Sequence, residues 1–112
     1  MIYLAAPYSH ASDIVRHQRF EQVTKIAASL VSSGQMVFSP ITHSHPMMEH
    51  AKLGAGWRTW EELDRKVMLV CTDVYVVMLP GWKESEGVMA EISLAKQMGL
   101  KVRYFLPVPP MS

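Results

Sequence analysis

The sequence predicts one α/β domain of three layers, a flavodoxin-like or Rossmann-like parallel sheet of four to five strands covered by helices. Two observations carry this. Short apolar runs at residues 1–6, 36–38, 74–79 and 102–106 read as strands, and the first, continuously apolar, reads as one buried on both faces, as in a parallel sheet. Between them, apolar residues recur at helical spacing, and strands that alternate with helices build parallel βαβ units.

The first run, residues 1–6, is closed by Pro7, which cannot donate to a ladder. Residues 9–13 offer capping side chains. Val23, Ile26, Ala27, Leu30 and Val31 then follow a helical period, and Gly34 ends the pattern as a C-terminal cap. Residues 35–39 hold Met36-Val37-Phe38, a second short strand stopped by Pro40. Residues 41–56 are irregular and carry His43, His45, Pro46, His50, Gly54 and Gly56. They read as a long loop with one helical turn, and long loops in compact domains are often functional. Trp60, Leu63, Val67, Val70 and Cys71 mark a second helix. Residues 74–79 make a third buried strand, residues 87–98 a third helix stopped at Gly99, and residues 102–106 a fourth strand. No repeat or low-complexity block interrupts residues 1–106, which are expected to form one domain. Pro107-Val108-Pro109-Pro110 opens a tail, residues 107–112, with little capacity for helix or ladder.

Composition narrows the function classes. Of 112 residues, 49% are apolar and 19% charged, enough for a core and too apolar for disorder. The net charge of +1 supplies neither the basic stripe of a nucleic-acid binder nor a polybasic membrane patch, so neither partner is expected. Cys71 is the single cysteine; no intramolecular disulfide can form, which suits a reducing cytoplasm. No run reaches the roughly 18 apolar residues that span a bilayer. The first residues do not pair a basic region with an apolar one as a signal peptide would, so a cytoplasmic protein is expected. The nine methionines are scattered and read as core filler.

The chemistry concentrates in Leu79-Pro80-Gly81-Trp82-Lys83-Glu84-Ser85-Glu86-Gly87-Val88-Met89-Ala90-Glu91, where a strand, a turn and a helix meet. Ligands of open α/β sheets bind at the carboxyl ends of strands, against helix N-termini. On a helical wheel of about 100° per residue, Val88, Ile92, Ala95 and Gly99 cluster, and Glu91 falls on their side between Ala95 and Met98. In the preceding helix Asp64 lies on the apolar side, between Trp60 and Met68. Neither has a cation four residues away. An inward carboxylate is costly unless paired or used, and the bland reading is that each bonds a core hydroxyl or backbone amide. Two of them near strand ends suit a site for glycosidic cleavage, one as nucleophile or base and the other as acid. Glu84 and Glu86 precede the helix and are expected to be solvated. Ser85 and Gly87 offer a hydroxyl and N–H groups to an anion, although a serine there is also an ordinary N-cap.

The opening Ile2-Tyr3-Leu4-Ala5-Ala6-Pro7-Tyr8-Ser9, Asp73 before the third strand, and Ser85-x-Gly87-Val88-x-x-Glu91-x-x-x-Ala95 resemble the nucleoside 2-deoxyribosyltransferase superfamily. The resemblance is strongest to its small, largely uncharacterised branch with a Leu-Pro-Gly-Trp-x-x-Ser-x-Gly signature, and it covers residues 1–106. It implies cleavage or exchange of an N-glycosidic bond through Glu91 as nucleophile. By the same resemblance Tyr3 holds that carboxylate and Asp64 is the second acid, handling the leaving base. The superfamily's deoxyribosyltransferases carry aspartate six residues before the nucleophile, whereas its nucleotide-hydrolysing branch carries serine. The resemblance implies a small-molecule nucleoside or nucleotide as substrate, and Ser85 favours a 5′-monophosphate over a free nucleoside, since a carboxylate there would repel phosphate. The resemblance implies no metal or redox cofactor. Some members complete the site with a neighbouring subunit, so a homo-oligomer is expected.

Other signals are weighed against plain packing. Trp82, in the strand-end turn, is a candidate to stack on a nucleobase, and Tyr8 and Ser9 are candidates to line the same crevice. Trp57 reads as packing and Cys71 as a small buried hydrophobe. His43, His45 and His50 with Glu49 are ligand types, but the pattern completes no tetrahedral set and no metal is assigned. Two alternatives to an enzyme stand beside it. One is a non-catalytic nucleotide-binding module with structural carboxylates. The other is an assembly protein using Trp57, Trp60 and the methionines at an interface.

Overall fold

In the computed structural model, which describes residues 1–53 and 57–107 (Trp57 by its backbone alone), the strand β1 (Ile2–Ala5) is buried along its whole length. It is flanked on one side by β2 (Val37–Phe38) and on the other by β3 (Asp73–Val77), and β4 (Lys101–Phe105) completes the order β2-β1-β3-β4. All pairings are parallel; Tyr3 lies beside Phe38 in β2 and Val74 in β3. The protein is thus α/β, with a four-strand parallel sheet and four α-helices among the described residues, an arrangement compatible with a flavodoxin-like fold. None of the described helices is long and apolar enough to cross a membrane. Gly54, Gly56, the Trp57 side chain and the tail beyond Pro107 lie outside the described residues.

Alternation along β1 divides the core in two. Ile2, Leu4 and Ala6 face one layer, with Val23, Ile26, Ala27 and Leu30 of α1 (Asp13–Ser32) and Ile41 of α2 (Pro40–Ala51). Tyr3 and Ala5 face the other, with Met68 of α3 (Trp57–Met68) and Val88, Ile92 and Ala95 of α4 (Glu86–Gln97). Ser12 caps α1, its hydroxyl accepting from the Val15 amide, and Gly34 at φ +94° ends the turn that follows.

Four expectations are corrected. Residues 41–51, expected as part of a long loop, lie in α2, which starts with Pro40 in its first turn, where a missing N–H is harmless. Pro46 inside it forfeits one helical hydrogen bond, a cost offset by burial of Ile41, Ser44, His45 and Met48, which follow the i, i+3, i+4, i+7 pattern. Leu63 (39% exposed) and Val70 (68%) are not on the buried face; α3 ends at Met68, so Val70 leaves the helical period. Val31, near the end of α1, is also exposed. β4 begins one residue earlier than expected and, as an edge strand, is half-open to solvent.

Candidate functional site

β1 and β3 are neighbours in the sheet, but the chain leaves β1 toward β2 on one side and enters β3 on the other. The segments beyond their carboxyl ends part at this switch point, where open α/β sheets bind ligands. A cleft of about 350 Å³ opens there. The β1 end contributes Tyr8 and Ser9, the β3–α4 turn Ser85, α4 Gly87 and Glu91, and α3 Trp60 and Asp64; α2 forms a wall with Ile41, Ser44 and Met48.

Tyr3 points from β1 into the α3/α4 layer, fully buried, and its hydroxyl donates to Glu91 Oε2. Glu91 and Asp64 are each only 5% exposed, and both border the cleft. Asp64 Oδ1 has no hydrogen-bond partner among the described residues. Such an atom is costly to leave unsatisfied and is available to a ligand. Burial pushes the Asp64 carboxyl up to about 6, and the Tyr3 hydroxyl pulls against that rise. Glu91 is driven well above the usual carboxylate range, first by burial and then by the Asp64 charge, with the Tyr3 hydrogen bond opposing. The same burial and the two neighbouring carboxylates hold the Tyr3 phenol well above its ordinary value, so it stays a donor. Two neighbouring carboxyls raised together titrate as a coupled pair rather than as two independent carboxylates.

Ser85 acts as the N-cap of α4, its Oγ accepting from the Val88 amide at 3.2 Å, and it also borders the cleft beside Gly87. The capping role and a cleft position thus coincide in one side chain. Glu84 and Glu86 are exposed and stand at the rim. Among the described residues that line the cleft there is no Lys or Arg, so any anion there would depend on the α4 N-terminus. Trp82 is not in the lining. Its ring packs on Tyr104 at 5.7 Å and against the α4-side core, because the single 3₁₀ turn Trp82–Glu84 turns it toward β4. Asp73 lies at the opposite, N-terminal edge of β3, accepting from Thr72 Oγ1 and 3.7 Å from Arg103.

Two features were not visible in the sequence. Arg19 of α1 donates to the carbonyls of Ser9 (3.0 Å) and Pro80 (3.2 Å), tying the segments after β1 and β3 to one guanidinium. Gly81 (φ +91°) passes so close that a Cβ would sit 2.7 Å from Arg19 Nη2. The α2 wall was hidden by Pro46; it also places buried His45, whose Nδ1 is 2.6 Å from the Tyr8 hydroxyl. His43 instead lies beside the Phe38 ring, and His50 is exposed.

A family model described as "Domain of unknown function (DUF1937)" matches residues 1–106. No curated protein matches the chain.

Proposed function

The protein belongs to the DUF1937 family, and for this member we propose cleavage or transfer at the N-glycosidic bond of a (deoxy)nucleoside 5′-monophosphate, with Glu91 as nucleophile. The observation that carries the proposal is the Tyr3–Glu91 hydrogen bond beside Asp64, at the base of a cleft on the sheet's switch point. The resemblance of the Ser85-x-Gly87-x-x-x-Glu91 segment to nucleoside 2-deoxyribosyltransferases is a second, independent support.

In this reading the Glu91 carboxylate attacks the anomeric carbon. A C–O bond forms as the C–N bond breaks, and the electron pair leaves with the base. Tyr3 donates to the carboxylate and fixes its direction. In the productive arrangement Asp64 carries the proton that passes to the departing base nitrogen. Water, or a second base, then attacks the glycosyl ester. With water, Asp64 recovers a proton and Glu91 leaves as carboxylate, restoring the starting state. Ser85 and the amides at the start of α4 receive the 5′-phosphate, with Tyr8 and Ser9 along the opposite wall. Trp82 has no part in this version, since its ring packs on Tyr104.

A second reading is a non-catalytic nucleotide-binding module. The raised Glu91 carboxyl favours it, because a protonated acid is a poor nucleophile. The exposed Glu84 and Glu86 at the rim oppose a phosphate electrostatically, so each nucleotide is to be tested beside its nucleoside. The experiment incubates the protein with paired deoxynucleosides and deoxynucleoside monophosphates and separates free base by chromatography. Base release that is lost in Glu91→Gln supports the enzyme. Calorimetric binding without base release supports the module and removes the enzyme.

A further inference from the structure

We infer that His17, His45 and Glu49 form a binding site for a divalent transition metal ion of the zinc type, on the outer side of the α2 wall. One donor atom from each lies within 4.8 Å of the others. His45 and Glu49 stand one turn apart on α2, and His17 reaches them from α1, so the site joins two helices of the same layer.

The buried member makes the arrangement more than a surface cluster. His45 is 5% exposed, and its Nε2 has no hydrogen-bond partner among the described residues. Glu49 Oε1 is 2.7 Å from that nitrogen, but not aligned as an acceptor. Both atoms face the same space, and a side-chain rotation that opens the pair to roughly 3.3–3.6 Å would seat each at about 2.0–2.2 Å from one tetrahedral cation. The other ring nitrogen, Nδ1, meets the Tyr8 hydroxyl at 2.6 Å. With the Nδ1 proton donated to Tyr8, Nε2 presents a lone pair, the second-shell arrangement that fixes a metal-binding tautomer. Phe20 stacks on the ring with centroids 4.2 Å apart and holds its plane.

The donor set of two imidazoles and one carboxylate suits zinc and leaves a coordination position for water. The surrounding charges are mixed. Asp13, Arg16 and Lys52 share the hollow; Arg16 is engaged by the Asp13 carboxylate and the His10 carbonyl, and Glu21 lies 3.5 Å from His17. Tyr8 borders both this hollow and the cleft of Glu91, so an ion here would brace the cleft wall without entering it.

The test titrates the full chain with Zn²⁺ by calorimetry and with Co²⁺ by visible absorption. The expected result is one saturable ion per chain, with cobalt ligand-field bands of four- or five-coordination. His17→Ala and Glu49→Ala, both at exposed positions, are each expected to weaken binding about tenfold or more, and Tyr8→Phe to weaken it about tenfold. His50→Ala and His10→Ala should leave it unchanged. Lack of saturable binding overturns the inference, as does binding that survives both His17→Ala and Glu49→Ala or falls only with His50→Ala or His10→Ala.

Discussion

Tyr3 and Glu91, 88 positions apart, share a hydrogen bond at the buried base of the cleft. One comes from the central strand and the other from α4, so the fold itself must form before the pair exists. The bond links a phenol held in its neutral form to a carboxyl whose burial raises it. Removing either partner therefore changes the proton inventory of the site as well as a contact.

Tyr3→Phe keeps the ring in the core and deletes the donor. The loss of one buried hydrogen bond is expected to cost about 1 kcal/mol of stability. Without the opposing donor, Glu91 rises further, so the rising limb of the pH–rate profile should move to higher pH. Base-release rates measured across pH, with chemical denaturation alongside, check both.

Asp64→Asn should stabilise the fold at alkaline pH while depressing base release. The sign follows from the direction of the shift. Asp64 is raised from 3.8 to about 6 on folding, so its contribution to stability is fully present below pH 3.8 and is lost as pH rises through about 6. Glu91 is shifted the same way. The variant escapes this penalty, on the order of 2–3 kcal/mol from the Asp64 shift. Thermal melts of both proteins from pH 4 to pH 8 should diverge upward in favour of Asp64→Asn; parallel curves would show that Asp64 is not the titrating group.

Ser85→Ala removes the cap of α4 and should cost about 1 kcal/mol. In the phosphate-binding role its KM should rise more for a monophosphate than for the matching nucleoside. An equal change for both would leave Ser85 with capping alone.

Gly81→Ala tests the turn that delivers Ser85. At φ +91° a side chain is strained by about 1–2 kcal/mol. The close neighbour, Arg19 Nη2, is the end of a flexible side chain and can move. Its movement would release Ser9 and Pro80, which it now ties together. A raised KM with a small loss in melting temperature is expected; Arg19→Ala should reproduce the KM change without the backbone strain.

Much of this was legible because it obeys periodicity. A lone carboxylate on an apolar helical side, as at Glu91 and Asp64, stands out on a wheel, and both lie buried at the cleft. The unbroken apolar run of β1 announced a strand buried on both faces. α2 was illegible for a physical reason. Pro46 is a helix breaker locally, and its cost is offset only by the tertiary burial of Ile41, Ser44, His45 and Met48. That hid the wall of the cleft and with it His45. His17 gave no signal at all, because its relation to His45 and Glu49 exists only once α1 packs on α2. The direction of Trp82 depends on a 3₁₀ turn that no spacing rule distinguishes from a helix start.

The most direct test of Glu91 as nucleophile is mass mapping of the protein after incubation with a 2′-deoxy-2′-fluoronucleoside 5′-monophosphate, which slows the second step and accumulates a glycosyl ester. The predicted result is one sugar-phosphate adduct on the peptide that carries Glu91, absent in Glu91→Gln. Base release without any adduct on that peptide, or undiminished turnover by Glu91→Gln, would contradict it.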